Sequence, residues 1–230
     1  MLSAKMEDYL KAIYELQRES EEPVATSHIA DLLDVTPPTA TSMMEKLEDR
    51  EFVEREKYKG VRLTPEGETV ALEIVRHHRL LETYLTEELG YDWAEVHDEA
   101  DRLEHHISEE FERRVAEVLD DPTVDPHGDP IPTDSLEPVD ESAGPTLEEC
   151  AEGETVVVRR VRDRDPEELA YLDEEGITPG TELTLVEVAP IGLITVELSD
   201  GTAVSLPDDI ADTIFVSPSS DGGVESNGVA

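Results

Sequence analysis

Apolar residues recur at helical spacing through roughly the first half of the chain and at strand spacing near its end. The first helix is predicted from about Ala4 to Arg18, with Met6, Leu10, Ile13 and Tyr14 on its buried face and Asp8 off that face. Thr26 is read as the N-cap of a second helix whose Ile29, Leu32 and Leu33 point inward. After a turn at Asp34-Val35, Thr36 caps a third helix, with Pro37 at its first position, where the missing N–H costs nothing. Ala40, Met43, Met44 and Leu47 form its buried side, while Thr36, Pro38, Thr39, Thr41 and Ser42 crowd the exposed N-terminal part. Two helices about a tight turn, the second opening in small polar residues, describe a helix-turn-helix. Phe52 to Arg55, Lys57 to Gly60 and Val61 to Thr64 then read as strand, turn and strand. A helix-turn-helix followed by such a hairpin is a winged helix, and small hydroxyl side chains suit close approach to a DNA groove.

Thr64-Pro65-Glu66 starts a long helix that reaches about Leu89 and ends at Gly90. Asp92 is expected to cap the next helix, and a further one spans Glu109 to Leu119. Leu80, Leu81, Tyr84, Leu85, Trp93, Leu103 and Ile107 exceed what three short helices hide by themselves. They point to a helical dimer interface, with packing against the winged helix as the alternative. Pro122 to Pro145, rich in Pro, Asp and Gly, reads as a linker. Beyond it, Thr155 to Val161, Glu182 to Val188, Leu193 to Leu198 and Ala203 to Leu206 read as strands, with Ile210 to Val216 adding a last short one. Ser199-Asp-Gly-Thr202 is a hairpin signal, and the set predicts a small barrel. The expected organisation is therefore mainly α with small β parts. A winged-helix DNA-binding domain spans 1–64, a helical metal-binding and dimerisation domain 65–121 and a linker 122–146. A small SH3-like barrel follows over 147–216, and a disordered tail over 217–230.

Composition narrows the function classes. No apolar run approaches the ~20 residues of a membrane helix, and Met1 to Leu10 lacks the pattern of a secretion signal. The single cysteine, Cys150, allows no intramolecular disulfide, so a reduced cytoplasmic setting is expected. A net charge of −40 should repel nucleic acid at ordinary ionic strength. Such an acidic coat resembles proteins of salt-in halophiles. At ~1 M salt the Debye length is only about 3 Å, so bulk repulsion largely vanishes. The acidity then describes the solvent more than the partner. All five lysines fall within the first 59 residues, and Arg55, Lys57, Lys59 and Arg62 surround a single acid, Glu56. This local basic patch at the wing predicts contact with the phosphates of double-stranded DNA. The expected DNA-contacting residues are Thr36, Pro38, Thr39, Thr41, Ser42, Lys57, Lys59 and Arg62.

The chemistry lies in the helical region. His97, Asp101, Glu104 and His105 are spaced i, i+4, i+7, i+8, which places two imidazoles and two carboxylates on one helix face. Val96, Ala100, Leu103 and Ile107 make the neighbouring apolar stripe, and His78 and Glu82 form a second i, i+4 pair on the preceding helix. Such donors suit a divalent transition metal. In a chain with 58 acids the same spacing also arises as solvated surface, so the stripe alone leaves both readings open.

The order of the parts, with Met6-Glu-Asp-Tyr9, His78-Arg-Leu-Leu-Glu82, Val96-His-Asp-Glu-Ala100, Glu104-His105 and Gly128-Asp-Pro-Ile-Pro132, resembles the diphtheria toxin repressor family of metal-dependent transcriptional regulators. The barrel looks like the domain shared with a ferrous iron transport protein. The resemblance implies a primary metal site of Asp8, Asp101, Glu104 and His105, and an ancillary site of His78, Glu82 and His97. It implies Mn²⁺ or Fe²⁺ as co-repressor of a homodimer on operator DNA. It further implies a metal linking the DNA-binding and dimerisation domains, to set two recognition helices about 34 Å apart, and repression of metal-uptake genes. In the iron-sensing branch Met and Cys take the places of Asp8 and Asp101; the carboxylates here favour manganese. The manganese branch carries glutamate where this chain has Lys11, so its binuclear site cannot be transferred whole. His97 follows the iron branch, in which the barrel also donates ligands; Glu167 and Glu168 fall near those places.

Two other readings compete. One is a winged-helix regulator with a different effector, whose DNA binding would ignore chelators. The other is a di-metal enzyme, which needs open coordination positions and a general base. No nucleophile elbow, P-loop or HExxH motif supports it, and no enzyme is expected.

Overall fold

The structure is a computed structural model that describes residues 2–19, 22–56, 59–136, 144–163 and 165–219. It divides into two compact units: one of 2–85, 98–123 and 130–136, the other of 86–97, 124–129 and 144–219.

In the first unit, α1 (Ala4–Glu19), α2 (Thr26–Leu32) and α3 (Pro37–Glu48) precede β1 (Val53–Glu56) and β2 (Gly60–Leu63). The inward faces are the predicted ones on α1 and α3, whereas on α2 Ile29 is buried and Leu32 and Leu33 are only partly so. Leu10, Ile13, Ile29, Met44 and Leu47 lie in one core with Tyr9, Val53 and Val61. The Thr26 cap is corrected: Ala25 takes the N-cap position and Thr26 is the first helical residue. Thr36 is the N-cap of α3, but its hydroxyl pairs with that of Thr39 at 2.8 Å instead of capping the backbone. β1 and β2 pair antiparallel from Val53–Leu63 to Glu56–Gly60. Val24 and Val61 also exchange backbone hydrogen bonds, tying the chain before α2 to the wing.

α4 (Pro65–Leu89) begins as predicted, since the Thr64 hydroxyl accepts from the Gly67 N–H at 3.1 Å. α5 (Val96–Leu103) and α6 (Glu109–Val118) follow, the latter capped by Ser108. Leu80, Leu81 and Leu85 are buried within the chain, and Leu80 packs against Val115 and Ala116 of α6 and Ile131, not against the winged-helix core. The large apolar residues left exposed here are Leu89, Tyr91, Phe111 and Val118.

Within 122–136, expected as part of a linker, the stretch from Asp125 to Pro132 is largely packed. In the first unit Ile131 is buried with Leu80, Val115 and Ala116, and the guanidinium groups of Arg79 and Arg76 donate to the Pro130 and Pro132 carbonyls. In the second unit Trp93 Nε1 donates to the Pro126 carbonyl at 2.8 Å, and the Val161 N–H donates to the His127 carbonyl at 2.9 Å. Gly128, at φ +91°, runs so close to the next segment that a Cβ would meet the Arg159 oxygen at 2.0 Å.

The second unit is built on one antiparallel sheet. Its strands are β3 (Thr155–Val161), β4 (Glu182–Ala189), β5 (Leu193–Leu198), β6 (Ala203–Pro207) and β7 (Ile214–Pro218), in the order β6-β5-β4-β3-β7. Inward residues of all five, including Val158, Leu183, Val196, Leu206 and Ile214, meet in one core. Two helices depart from the expectation. α7 (Pro166–Glu174) fills the β3–β4 connection, and α8 (Asp208–Ala211) holds Ile210, which is therefore not in the last strand. Residues 220–230 of the expected tail and 137–143 of the expected linker lie outside the described residues.

Candidate metal centre

α1 and the turn after α5 bring their polar side chains together in the first unit. His105 Nε2 is 2.7 Å from Asp8 Oδ1 and 3.3 Å from Glu104 Oε1, while its Nδ1 is 2.8 Å from Glu7 Oε2. Asp8, Glu104 and His105 each offer a ligand atom within 4.8 Å of the others. The hydrogen bond to Asp8 raises the His105 pKa, helped by the charge of Glu104 and opposed by partial burial. One imidazole and two carboxylates at this spacing fit a divalent cation that accepts mixed nitrogen and oxygen ligands, such as Mn²⁺ or Fe²⁺.

Asp101 stands apart from that triad. Its Oδ1 lies 2.9 Å from Lys11 Nζ and 3.2 Å from His78 Nδ1. Lys11 Nζ is also 2.9 Å from Glu104 Oε2 and 2.9 Å from His78 Nδ1. His78 Nδ1 is 2.6 Å from Glu104 Oε2, and its Nε2 is 2.9 Å from Glu82 Oε1. Nδ1 can accept from Lys11 or donate to Glu104, not both at once. Burial works to raise the Glu104 pKa, but the His78 hydrogen bond and Lys11 hold it below the usual carboxylate range. Burial likewise works to lower the Lys11 and His78 pKa values. The surrounding acids outweigh it in both, Glu104 and Asp101 for Lys11 and chiefly Glu82 for His78, so both end raised.

The predicted stripe is thus divided. α5 ends at Leu103; the Glu104 N–H still donates to the Ala100 carbonyl at 2.9 Å, and His105 projects from the turn that follows. Glu104 is shared between the Asp8–His105 set and the Lys11–His78–Asp101 set. His97 belongs to the second unit, where its Nδ1 is 3.1 Å from Asp163 Oδ2. Glu167 and Glu168 occupy the first turn of α7, and the Asp165 side chain accepts from their N–H groups. Sequence reasoning missed Glu7, which adjoins Asp8, and Asp163, which no local spacing marks.

The expected DNA face is exposed at Thr36, Pro38, Thr39 and Ser42, while Thr41 is half-buried and its hydroxyl donates to the Pro37 carbonyl. The basic patch is not free of acids. Lys59 and Arg62 reach Glu56 at 3.0 and 3.3 Å, and Arg55 lies 3.5 Å from Glu48 and 3.8 Å from Glu45 on α3. Lys57 lies outside the described residues.

A winged helix whose first helix brings a carboxylate beside a glutamate and a histidine that could together hold a metal ion fits the class of metal-responsive DNA-binding regulators. The comparisons with known proteins sharpen this. Residues 1–61 match the model "Iron dependent repressor, N-terminal DNA binding domain", 64–133 match "Iron dependent repressor, metal binding and dimerisation domain", and 146–218 match "FeoA domain". The chain is 36% identical over 219 residues to the diphtheria toxin repressor of Corynebacterium efficiens, covering 91% of this chain and 94% of that protein. It is 34% identical over 221 residues to the iron-dependent repressor IdeR of Mycobacterium tuberculosis, covering 91% and 95%. Among solved structures, a manganese-dependent transcriptional repressor in complex with manganese matches at TM-score 0.85 and 38% identity, over 93% of this chain and 99% of that one. The manganese regulator SloR matches at TM-score 0.78 and 33% identity, over 93% and 98%. The chain belongs to the iron-dependent repressor family, whose members are metal-dependent DNA-binding transcriptional repressors.

Proposed function

We propose that this protein represses metal-uptake genes as a homodimer on operator DNA, with Mn²⁺ or Fe²⁺ as co-repressor held by Asp8, Glu104 and His105. The observation that carries the reading is the 2.7 Å approach of Asp8, on the first helix of the DNA-binding domain, to His105 of the metal-binding domain. A cation bound there would neutralise facing carboxylates and hold α1 against the turn after α5. α1 packs on α2 and α3 through Leu10, Ile13, Ile29 and Met44, so its position bears on the recognition helix. A bias of a few kcal/mol between two arrangements is enough to switch DNA occupancy strongly.

Asp101 is proposed as a further ligand, and His78, Glu82 and His97 as ancillary ligands; these assignments rest on the family resemblance. Oxygen-rich ligands favour Mn²⁺ over softer sites without excluding Fe²⁺. The exposed Phe111 and Val118 of α6 are offered to a second copy of the chain. Thr36, Pro38, Thr39, Thr41, Ser42, Lys57, Lys59 and Arg62 are proposed to meet the duplex, and no residue is assigned a catalytic role.

The test compares wild type with Asp8→Ala for binding to a duplex pool with a randomised core, with Mn²⁺ and with chelator. Wild type should select a duplex only with metal, while Asp8→Ala stays dimeric and selects none. An Asp8→Ala protein that keeps its metal response would remove this centre from the function.

A further inference from the structure

Lys11 is the group that the metal reading leaves unexplained. It lies one turn beyond Asp8 on α1, and its ammonium is largely buried at 12% side-chain exposure. Three polar atoms surround it at 2.9 Å: Asp101 Oδ1, Glu104 Oε2 and His78 Nδ1. Two of these residues, Asp101 and Glu104, are acids that the proposed function assigns to the primary centre. The triad facing His105 contains Asp8 and Glu104, while Asp101 is drawn to the ammonium.

A buried lysine usually needs one carboxylate to offset its desolvation; this one has two, with Glu15 adding to the acidic field. The arrangement therefore places a unit positive charge among the carboxylates that would bind a dication. From this geometry, and resting on the proposed metal site, we propose that Lys11 is a tethered competitor cation that pairs with Asp101 and Glu104 and thereby sets the metal concentration to which the protein responds. Lys11 acts through these two acids and is a positioning residue, not a ligand, since an ammonium has no lone pair to give.

Two physical consequences follow from a fixed positive charge next to the site. The charge repels an arriving dication, and it occupies carboxylate oxygens that the metal would otherwise share. Both effects weaken metal binding relative to a chain with a neutral side chain of similar length. The opposite sign is expected of a lysine that merely supports the fold. Its removal would leave Glu104 buried beside uncompensated acids, loosen the centre and weaken metal binding.

The experiment is calorimetric titration of Mn²⁺ into the full-length protein without DNA, at fixed high ionic strength, for wild type, Lys11→Met, Lys11→Arg and Asp8→Ala. Thermal unfolding of each variant establishes that it is folded. Lys11→Met should bind Mn²⁺ about tenfold more tightly than wild type or better. Lys11→Arg, which keeps the charge and can still engage both carboxylates, should not show this gain. Unchanged or weaker binding in folded Lys11→Met, with wild-type binding abolished by Asp8→Ala, would overturn the competitor role alone. Absence of Mn²⁺ binding in both wild type and Lys11→Met would overturn it together with the metal site.

Discussion

Asp8 Oδ1 and His105 Nε2 stand 2.7 Å apart, joining the first helix of the winged-helix domain to the turn after α5. The pair is an ion pair only while the imidazole is protonated, and a metal ligand must be neutral. The same contact that holds the two elements together without metal therefore competes with metal for the histidine.

That competition has a direction in pH. The folded pKa of His105 is raised, first by its bond to Asp8. A group of this kind contributes stability that is fully present below its unfolded value, about 6.5, and is lost as pH rises through the raised folded value. Metal affinity runs the other way. It should fall progressively as the pH is lowered through the folded pKa of His105. Titrations of Mn²⁺ at several pH values check this, and an affinity that is flat in wild type would count against His105 as ligand.

Glu104 is the most deeply placed acid of the proposed primary set, at 2% exposure, and it pairs with both Lys11 and His78. Glu104→Ala leaves those cations without their shared partner. The expected loss is about 3 kcal/mol, the low end for breaking a buried pair, because Asp101 still faces Lys11. Denaturant unfolding of the metal-free protein measures it. A change near zero would mean that the pair contributes nothing to stability.

Gly60 opens β2 at φ +140°, and a Cβ there would meet the Val24 carbonyl oxygen at 2.1 Å. Gly60→Ala must break the Val24–Val61 pairing or shift the wing, at a cost of about 1–3 kcal/mol. DNA binding should weaken more than metal binding, since the wing is remote in sequence from every metal ligand. Equal losses in both would point to general unfolding.

The wing cations are held by acids of the same chain. Glu56 accepts from both Lys59 and Arg62, and this lowers its pKa. Glu56→Gln frees both cations for phosphate contacts. Affinity for duplex DNA should rise several-fold, with a steeper fall as salt is increased. An unchanged salt slope would place Lys59 and Arg62 away from the phosphates.

Much of the fold was legible because burial imposes its period on sequence. Leu10 and Ile13 on α1, Met43, Met44 and Leu47 on α3, and alternating Val156 and Val158 on β3 all lie where their spacing puts them. The failures share a different cause. α7 is not expected from the sequence reading, in which Glu167 and Glu168 stand only as possible ligands; the capping side chain of Asp165 and the proline at N1 are the available signal. Ile210 continues an apolar run, yet Asp208 and Asp209 turn the backbone into α8 before the strand resumes at Ile214. The segment around Pro130 and Pro132 has the composition of a linker, but its carbonyls are acceptors for Arg79 and Arg76, and backbone acceptors leave no mark in composition. The residue types of the stripe are legible in the sequence, and their division between two clusters is not. Helical hydrogen bonding carries the stripe only as far as Glu104, and the approach of Asp8, Glu7 and Lys11 from α1 is tertiary. Asp8 and Lys11 entered through family resemblance, which carries tertiary information that periodicity lacks.

The most direct test is DNA binding by the full chain in molar potassium chloride, titrated separately with Mn²⁺ and anaerobic Fe²⁺ and then with excess chelator. Specific duplex binding should appear with metal, strengthen more with Mn²⁺ than with Fe²⁺, and vanish on chelation. Binding of equal strength with either metal, without metal and after chelation would contradict a metal-dependent repressor built on Asp8, Glu104 and His105.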